Sequence, residues 1–528
     1  MGVGAGDAVV AKDPRTPAPH APGRGHRAAT RTFIRGSGLL VSGRAISLLL
    51  NFATQVLAVR YLSKSDYGAF AYALGVAAMG TTAALFGFQK SVPRFIPIYQ
   101  ERGEFRKMFG AVALAVLTIV GLGLSLVLLL HGFQGVLLGR VVGDPLSLAL
   151  LLILITLAPI DALDYLLIGL LATFASPRAI FFRRHILGPS LRLAAVLLVL
   201  ATAGDVHQLA YGYVAGGIIG VATYVAVLLG ALRKQGLLQR LRADGLELPA
   251  KDVFSYSLPL FTSEILVMLK TGLAVVLLEF LQSTVAVADY KAVLPLARLN
   301  VMVMQSFSLL FIPVAARMFA RGEREGINDL FWQTATWIAV LSFPFMAVTT
   351  TLAQPLTLLL FGSRYAGSAQ VLAVLSVGFY VHAALGTNTA TLGVCGRVRY
   401  LVVTDVLTAV FGVGMLLWLI PRHGALGAAV ASSATLILNN LLHHLGFLGG
   451  RVGVRLVEPR HLRVYAVIAV AAASLVLVGV LLAPPLYLGI PLAAAASFVV
   501  LRSARGVLDA GSTFPELLRI PLLRRILS

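Results

Sequence analysis

The sequence predicts an all-α polytopic membrane protein. About 14 transmembrane helices form two six-helix halves in parallel pseudo-repeat, followed by two more helices toward the C-terminus. Three observations carry this. First, long apolar stretches run from about Gly36 to about Leu501 in a chain of 528 residues that is 58% hydrophobic and 12% charged. A soluble core of this size needs a charged shell that such a composition does not supply. Second, the basic residues fall on alternate links: 33 of the 43 Lys and Arg lie on one side of the expected topology, 6 on the other (Arg60, Lys64, Arg140, Lys291, Arg364, Arg422) and 4 within spans (Arg44, Arg192, Lys270, Arg298). Short cytoplasmic links collect Lys and Arg, so this bias puts both termini in the cytoplasm. Third, two stretches repeat in order. LAVRYLSKSDY (Leu57–Tyr67) matches LLEFLQSTVAVADY (Leu277–Tyr290), and the exits Phe95-Ile96-Pro97 with Arg102-Gly103-Glu104 match Phe311-Ile312-Pro313 with Arg321-Gly322-Glu323. Six helices is an even number, so both halves start on the same side and the repeats are parallel.

Along the chain, residues 1–36 form a basic cytoplasmic tail without apolar period, expected to be disordered and to touch anionic lipid heads through Arg24, Arg27, Arg31 and Arg35. The first apolar stretch is long enough to span and reads as an uncleaved anchor. Gly6 occupies the position where a myristoylation signal needs Ser or Thr. The N-terminal half covers 37–231, with spans at 37–59, 67–88, 109–131, 145–172, 187–203 and 209–231. A linker at 232–254 is read as a tether or as an amphipathic surface helix around Leu237–Arg242. The C-terminal half covers 255–449, with spans at 255–281, 290–315, 330–352, 367–393, 401–420 and 425–449. Two appended spans occupy 465–501, with Pro484-Pro485 turning between them, and a basic interfacial tail closes the chain at 502–528. Prolines at 159, 259, 295 and 344 are expected to interrupt spans 4, 7, 8 and 9.

Composition also narrows function. The net charge of +21 sits on links between spans, where it marks a membrane side rather than a nucleic-acid surface. One cysteine, Cys395, allows no disulfide within the chain. His443-His444 lacks further metal-ligand spacing, so no metal and no cofactor are expected. The outer links are too short for a catalytic domain, and no P-loop lysine, His-Glu-x-x-His or Gly-x-Ser-x-Gly motif stands in a suitable context, which argues against an enzyme.

Further motifs carry a resemblance: Gly38-Leu39-Leu40 with Asn51; Leu62-Ser63-Lys64-Ser65-Asp66-Tyr67-Gly68-Ala69-Phe70; Phe361-Gly362-Ser363-Arg364-Tyr365 followed by Ala369; Gly393-Val394-Cys395-Gly396-Arg397; and Ile420-Pro421-Arg422-His423-Gly424-Ala425-Leu426-Gly427-Ala428-Ala429. In this order and on these links the chain resembles the polysaccharide or oligosaccharide-lipid flippases of the multidrug/oligosaccharidyl-lipid/polysaccharide exporter superfamily. The resemblance covers most of 36–450. It implies two lobes around a central cavity open alternately to each side, a polyprenyl-pyrophosphate-linked saccharide as cargo, and a lipid-tail groove beside the two extra helices. It also implies work alongside polysaccharide-assembly glycosyltransferases or a polymerase. One departure stands out: many relatives carry an acid where this chain has Lys270.

Charges at bilayer depth are costly and normally face a cavity or a partner. Arg44 lies ~10 Å into span 1, Lys270 ~20 Å into span 7, and Arg298 near mid-depth of span 8. Spans 1 and 7, and 2 and 8, are repeat mates, so these cations are candidates to converge on one pyrophosphate. The competing reading pairs each with an acid. Glu264, Asp161 and Asp164 are candidates for ion coupling or for stabilising clusters, the two aspartates together with Arg192. Asp405 reads as an interfacial charge. Two alternatives to the flippase reading stay open: a cation-coupled multidrug or metabolite exporter of the same superfamily, and an integral-membrane polymerase or ligase.

Overall fold

The computed structural model describes residues 24–140, 142–174, 181–239, 245–448 and 452–508. Most of the N-terminal tail, part of the linker and the C-terminal tail from 509 lie outside the described residues. The described chain is helical, with one isolated β-bridge, Leu138 to Val142. The first half comprises α1 (Arg24–Tyr61), α2 (Lys64–Leu85), α3 (Phe88–Glu101), α4 (Phe105–Gly132), α5 (Pro145–Leu154), α6 (Leu157–Phe174), α7 (Gly188–Thr202) and α8 (Val206–Lys234). The second comprises α9 (Ala250–Leu281), α10 (Thr284–Arg298), α11 (Met302–Ala320), α12 (Arg324–Thr351), α13 (Ala353–Phe361), α14 (Ser368–Ala384), α15 (Asn388–Val394) and α16 (Val398–Leu445). The appended pair is α17 (Pro459–Leu482) and α18 (Leu486–Ala504).

Ten helices among the described residues are long and apolar enough to cross a membrane, or 11 if the segments Thr284–Ser308 and Leu310–Ala320, which meet at 41°, count as one. Counted as 11, they account for twelve of the expected spans, because the 48-residue α16 holds two, joined at Gly424 (φ 51°, ψ −127°). The other two expected spans are also helical: α1 with 38 residues and α9 with 32. Helix α1 starts at Arg24, so the end of the segment expected to be disordered continues the first helix.

The repeat is legible in local geometry. Ser63 and Ser283 each cap the helix that follows, accepting from the backbone N–H of Asp66 (3.0 Å) and Ala286 (3.3 Å). The paired exits close with the same hydrogen bonds: Glu104 N–H to Tyr99 C=O at 2.9 Å, and Glu323 N–H to Met318 C=O at 3.0 Å. In both, the intervening glycine is left-handed, Gly103 at φ 72° and Gly322 at φ 74°.

Prolines and breaks coincide only in part. Ile155, whose carbonyl is four residues before Pro159, falls at the break between α5 and α6, where the proline ring would crowd an α-helical turn. Pro295 lies three residues before α10 ends in a 3₁₀ turn, Leu299–Val301. Pro259 and Pro344 sit inside continuous helices, contrary to expectation. Span 10 breaks without any proline, at Leu385–Thr387, where Gly386 has φ 80°.

The halves meet along α2, which packs against α10 and α9. They come close at Gly68: a Cβ there would lie 1.9 Å from the Thr284 carbonyl oxygen, so only glycine fits. Below, the "basic end" is the end of the bundle whose links hold most Lys and Arg, and the "opposite end" is the one with Ser63 and Ser283.

Candidate functional site

A cavity of about 650 Å³ opens between the halves, walled by α1, α2, α7, α8 and α10. Its polar lining comes from Asn51 and Gln55 on α1, Tyr67 on α2, Arg192 on α7, Tyr213 on α8 and Lys291 on α10. A second compartment of about 400 Å³ lies within the first half and shares Asn51, Leu74, Arg192 and Tyr213 with the first. It adds Asp161, Asp164, Arg183 and Arg184. Arg192 therefore stands at the junction, its guanidinium 6.0 Å from the centre of the Tyr213 ring.

Local sequence explains how Lys291 is presented. Pro295 cannot donate to the carbonyl four residues earlier, which is that of Lys291. Gln55 supplies a donor instead, its Nε2 lying 3.3 Å from that oxygen and 2.5 Å from the Tyr67 hydroxyl. One glutamine thus ties the two halves together at the cavity wall.

The cations and acids singled out from the sequence divide. Arg44 donates to Gln305 Oε1 at 2.5 Å, bridging α1 and α11. Arg298 is exposed and has no carboxylate within 4.0 Å among the described residues. Lys270 lies 2.6 Å from Asp405, with the two side chains 15% and 26% exposed. Asn439 donates to the same carboxylate oxygen at 3.0 Å, and His443 Nε2 is 3.7 Å away. Asp405 is therefore the partner of Lys270 and not the interfacial charge expected. Glu264 is held by Lys90 at 2.6 Å, across the halves. Asp164 is held by Arg183 at 2.6 Å rather than by Arg192. Arg183 also donates to the Gly220 carbonyl at 3.1 Å and lies 5.0 Å from the centre of the Tyr224 ring. Asp161 lines the inner compartment within the field of Arg192 and Arg183.

Two cations near the site are not singled out by sequence reasoning, which puts Lys291 on an outer link and Arg183 on a cytoplasmic one. Ser283 is the available signal for the first: a serine cap starts its helix at Thr284, which puts Lys291 two turns inside.

At the opposite end the halves interlock. Arg60 donates to the Leu359 and Leu360 carbonyls, the latter at 2.8 Å, and Arg364 donates back to those of Val59 (3.3 Å) and Arg60 (2.6 Å). Lys64 pairs with Asp289 at 2.7 Å, Ser368 reaches the same carboxylate at 2.5 Å, and the Ser65 and Thr284 hydroxyls lie 3.2 Å apart. Toward the basic end, the α3–α9 side is joined by Lys90–Glu264, by Ser257 to Ser91 at 2.8 Å and by the Tyr99–Asp252 contact at 3.4 Å. On the α1–α11 side, the Arg44–Gln305 hydrogen bond spans the halves.

A bundle of two parallel repeats around a mostly apolar cavity, with Arg192 and Lys291 among its few polar lining residues, defines the class: a polytopic helical transporter fold. The comparisons agree. The chain belongs to the family described as "Polysaccharide biosynthesis protein", whose model matches residues 33–319. No curated protein matches the sequence. Among solved structures it is similar to a lipid II flippase, MurJ, in an inward closed conformation, with 13% identity and a TM-score of 0.65 over 88% of this chain and 99% of that one. It is also similar to an inward-facing multidrug resistance transporter of the MATE family, with 15% identity and a TM-score of 0.62 over 77% of this chain and 94% of that one. A point mutant of the Vibrio cholerae MATE transporter VcmN follows at 16% identity and a TM-score of 0.53 over 81% and 98%. These likenesses show the fold.

Proposed function

We propose that this chain flips a polyprenyl-pyrophosphate-linked oligosaccharide or polysaccharide repeat unit from the inner to the outer leaflet of the cell membrane by alternating access, with both termini in the cytoplasm and without a chemical step. The observation that carries the reading is the cation set around the cavity between the halves. Arg192 and Lys291 line it, Arg44 bridges its wall helix α1 to α11, and Arg298 lies on α10, two turns beyond Lys291. Neither Lys291 nor Arg298 has a carboxylate within 4.0 Å among the described residues. A pyrophosphate needs two or more fixed cations in a partly dehydrated site, and arginine offers it forked contacts. Lys270, held by Asp405, positions α9 against α16 in this reading and does not touch the cargo. When cargo enters from the basic end, its phosphates take Arg44 from Gln305. Release outward requires the Arg60–Arg364 interlock to part. Membership of a polysaccharide-biosynthesis family and the fold shared with a lipid II flippase both support a lipid-linked saccharide.

A second reading, a cation-coupled exporter of small molecules, draws on the acids Asp161 and Asp164 in the inner compartment. The discriminating experiment is translocation of a fluorescent polyprenyl-pyrophosphate oligosaccharide in proteoliposomes. The wild type is expected to flip it, and Arg192→Ala with Lys291→Ala to slow flipping at least about tenfold while melting like wild type. Equal rates for a neutral lipid-linked sugar would remove the cationic site. Transport of a cationic drug under a proton or sodium gradient, with no lipid flipping, would replace the flippase reading with the exporter.

A further inference from the structure

The basic-end tips of α17 and α18 enclose a pocket of about 610 Å³ that plays no part in the reading above. Four arginines line it: Arg460 and Arg463 from the first two turns of α17, Arg502 from the last turn of α18, and Arg505 just beyond. None has a carboxylate within 4.0 Å among the described residues. The acid nearest the α17 arginines in sequence, Glu458, is buried and already taken, accepting from Asn328 at 3.1 Å and lying 3.3 Å from Arg455, and the acid nearest the α18 pair, Asp509, lies outside the described residues. The first turn of α17 holds no acid, so its two arginines add to the positive end of the helix dipole instead of opposing it. All four are exposed, so water and salt screen their mutual repulsion in part, and an anion bound among them would relieve the rest.

The surroundings favour one kind of anion. Val464 is buried at the pocket, Val507 half-buried, and the same two helices present apolar side chains outward, Leu462 at 57%, Phe498 at 51% and Val499 at 52% exposure. An anion held here has hydrocarbon alongside it, at the end of the bundle where the other basic links lie. We propose that this pocket binds the phosphodiester headgroup of an anionic phospholipid, the arginines contacting phosphate oxygens and the acyl chains lying along α17 and α18. The site is independent of the cargo reading, because it lies outside the cavity between the halves.

The test uses the full-length protein in mild detergent, titrated with cardiolipin or phosphatidylcholine and weighed intact by mass spectrometry. Cardiolipin is expected to stay bound where phosphatidylcholine does not. Arg463→Gln with Arg502→Gln should weaken it about fivefold per arginine removed. The pair Arg233→Gln with Arg399→Gln, exposed arginines elsewhere at the same end, should leave binding unchanged. Equal loss in that control would reduce the effect to general surface charge and overturn the site. On wild-type protein, which needs no variant to fold, inorganic phosphate at matched concentration should not displace cardiolipin. Displacement by phosphate would mark a free-anion site and overturn the lipid assignment.

Discussion

Lys270 and Lys291 are both lysines at membrane depth, yet their surroundings differ. Lys270 meets Asp405 at 2.6 Å within a cluster that includes Asn439 and His443, whereas Lys291 lines the cavity with no carboxylate in reach among the described residues. Removing one member of a largely buried ion pair leaves the other charge unpaired, which costs on the order of 3 kcal/mol. Lys270→Ala is therefore expected to lower the melting temperature in detergent clearly, and Lys270→Leu combined with Asp405→Leu to recover most of the loss. If Lys270→Ala melts like wild type but abolishes flipping, Lys270 belongs to the cargo site after all. Lys291→Ala should behave in the converse way, with stability kept and transport lost. Sequence put Lys270 inside span 7 and Lys291 on an outer link, and could give neither its surroundings. Asp405 lies 135 positions from Lys270, and no local pattern links the two.

At the scale of elements, the serine caps and the glutamine tie can be tested separately. Ser63→Ala and Ser283→Ala each remove an acceptor for an N-terminal backbone N–H and should cost about 1 kcal/mol, read as a lower denaturant or thermal midpoint. Gln55→Leu should cost about as much, because the Lys291 carbonyl loses the donor that Pro295 cannot supply. A Gln55→Leu variant as stable as wild type would mean that water satisfies this carbonyl. Local sequence anticipated these elements unevenly. The matched exits and the breaks beside Pro159 and Pro295 were anticipated, because each depends on neighbours within four or five residues; the serine caps are as local but were not singled out. The break at Gly386, and the unbroken helices through Pro259 and Pro344, were not anticipated, because packing decides whether a helix bends there.

For the whole molecule, alternating access as proposed would require the interlock at the opposite end to open. The Ser65 and Thr284 hydroxyls, 3.2 Å apart, offer a lock: with Cys395 replaced by Ser, Ser65→Cys and Thr284→Cys should form a disulfide under oxidation. Flipping should then stop, and return on reduction. Undiminished transport by the cross-linked protein would rule out opening between α2 and α10. Orientation has its own check. Single cysteines on the 102–104 and 321–323 turns should be labelled from the cytoplasmic side, and cysteines on the 62–63 and 282–283 turns from outside.

The sequence by itself determined the helical membrane class, the order and approximate limits of the spans and the two-fold repetition. Each follows from short-range terms: apolar length against bilayer thickness, charge on the links, and short motifs that recur in order. Only the tertiary structure decided which charges pair and which line the cavity. It bound Lys270 to Asp405 and Glu264 to Lys90, set Arg183 against Asp164, and brought Arg192 and Lys291 into one cavity wall. Those outcomes depend on the rotation of each helix about its axis and on how the halves dock, which contacts far apart along the chain fix together.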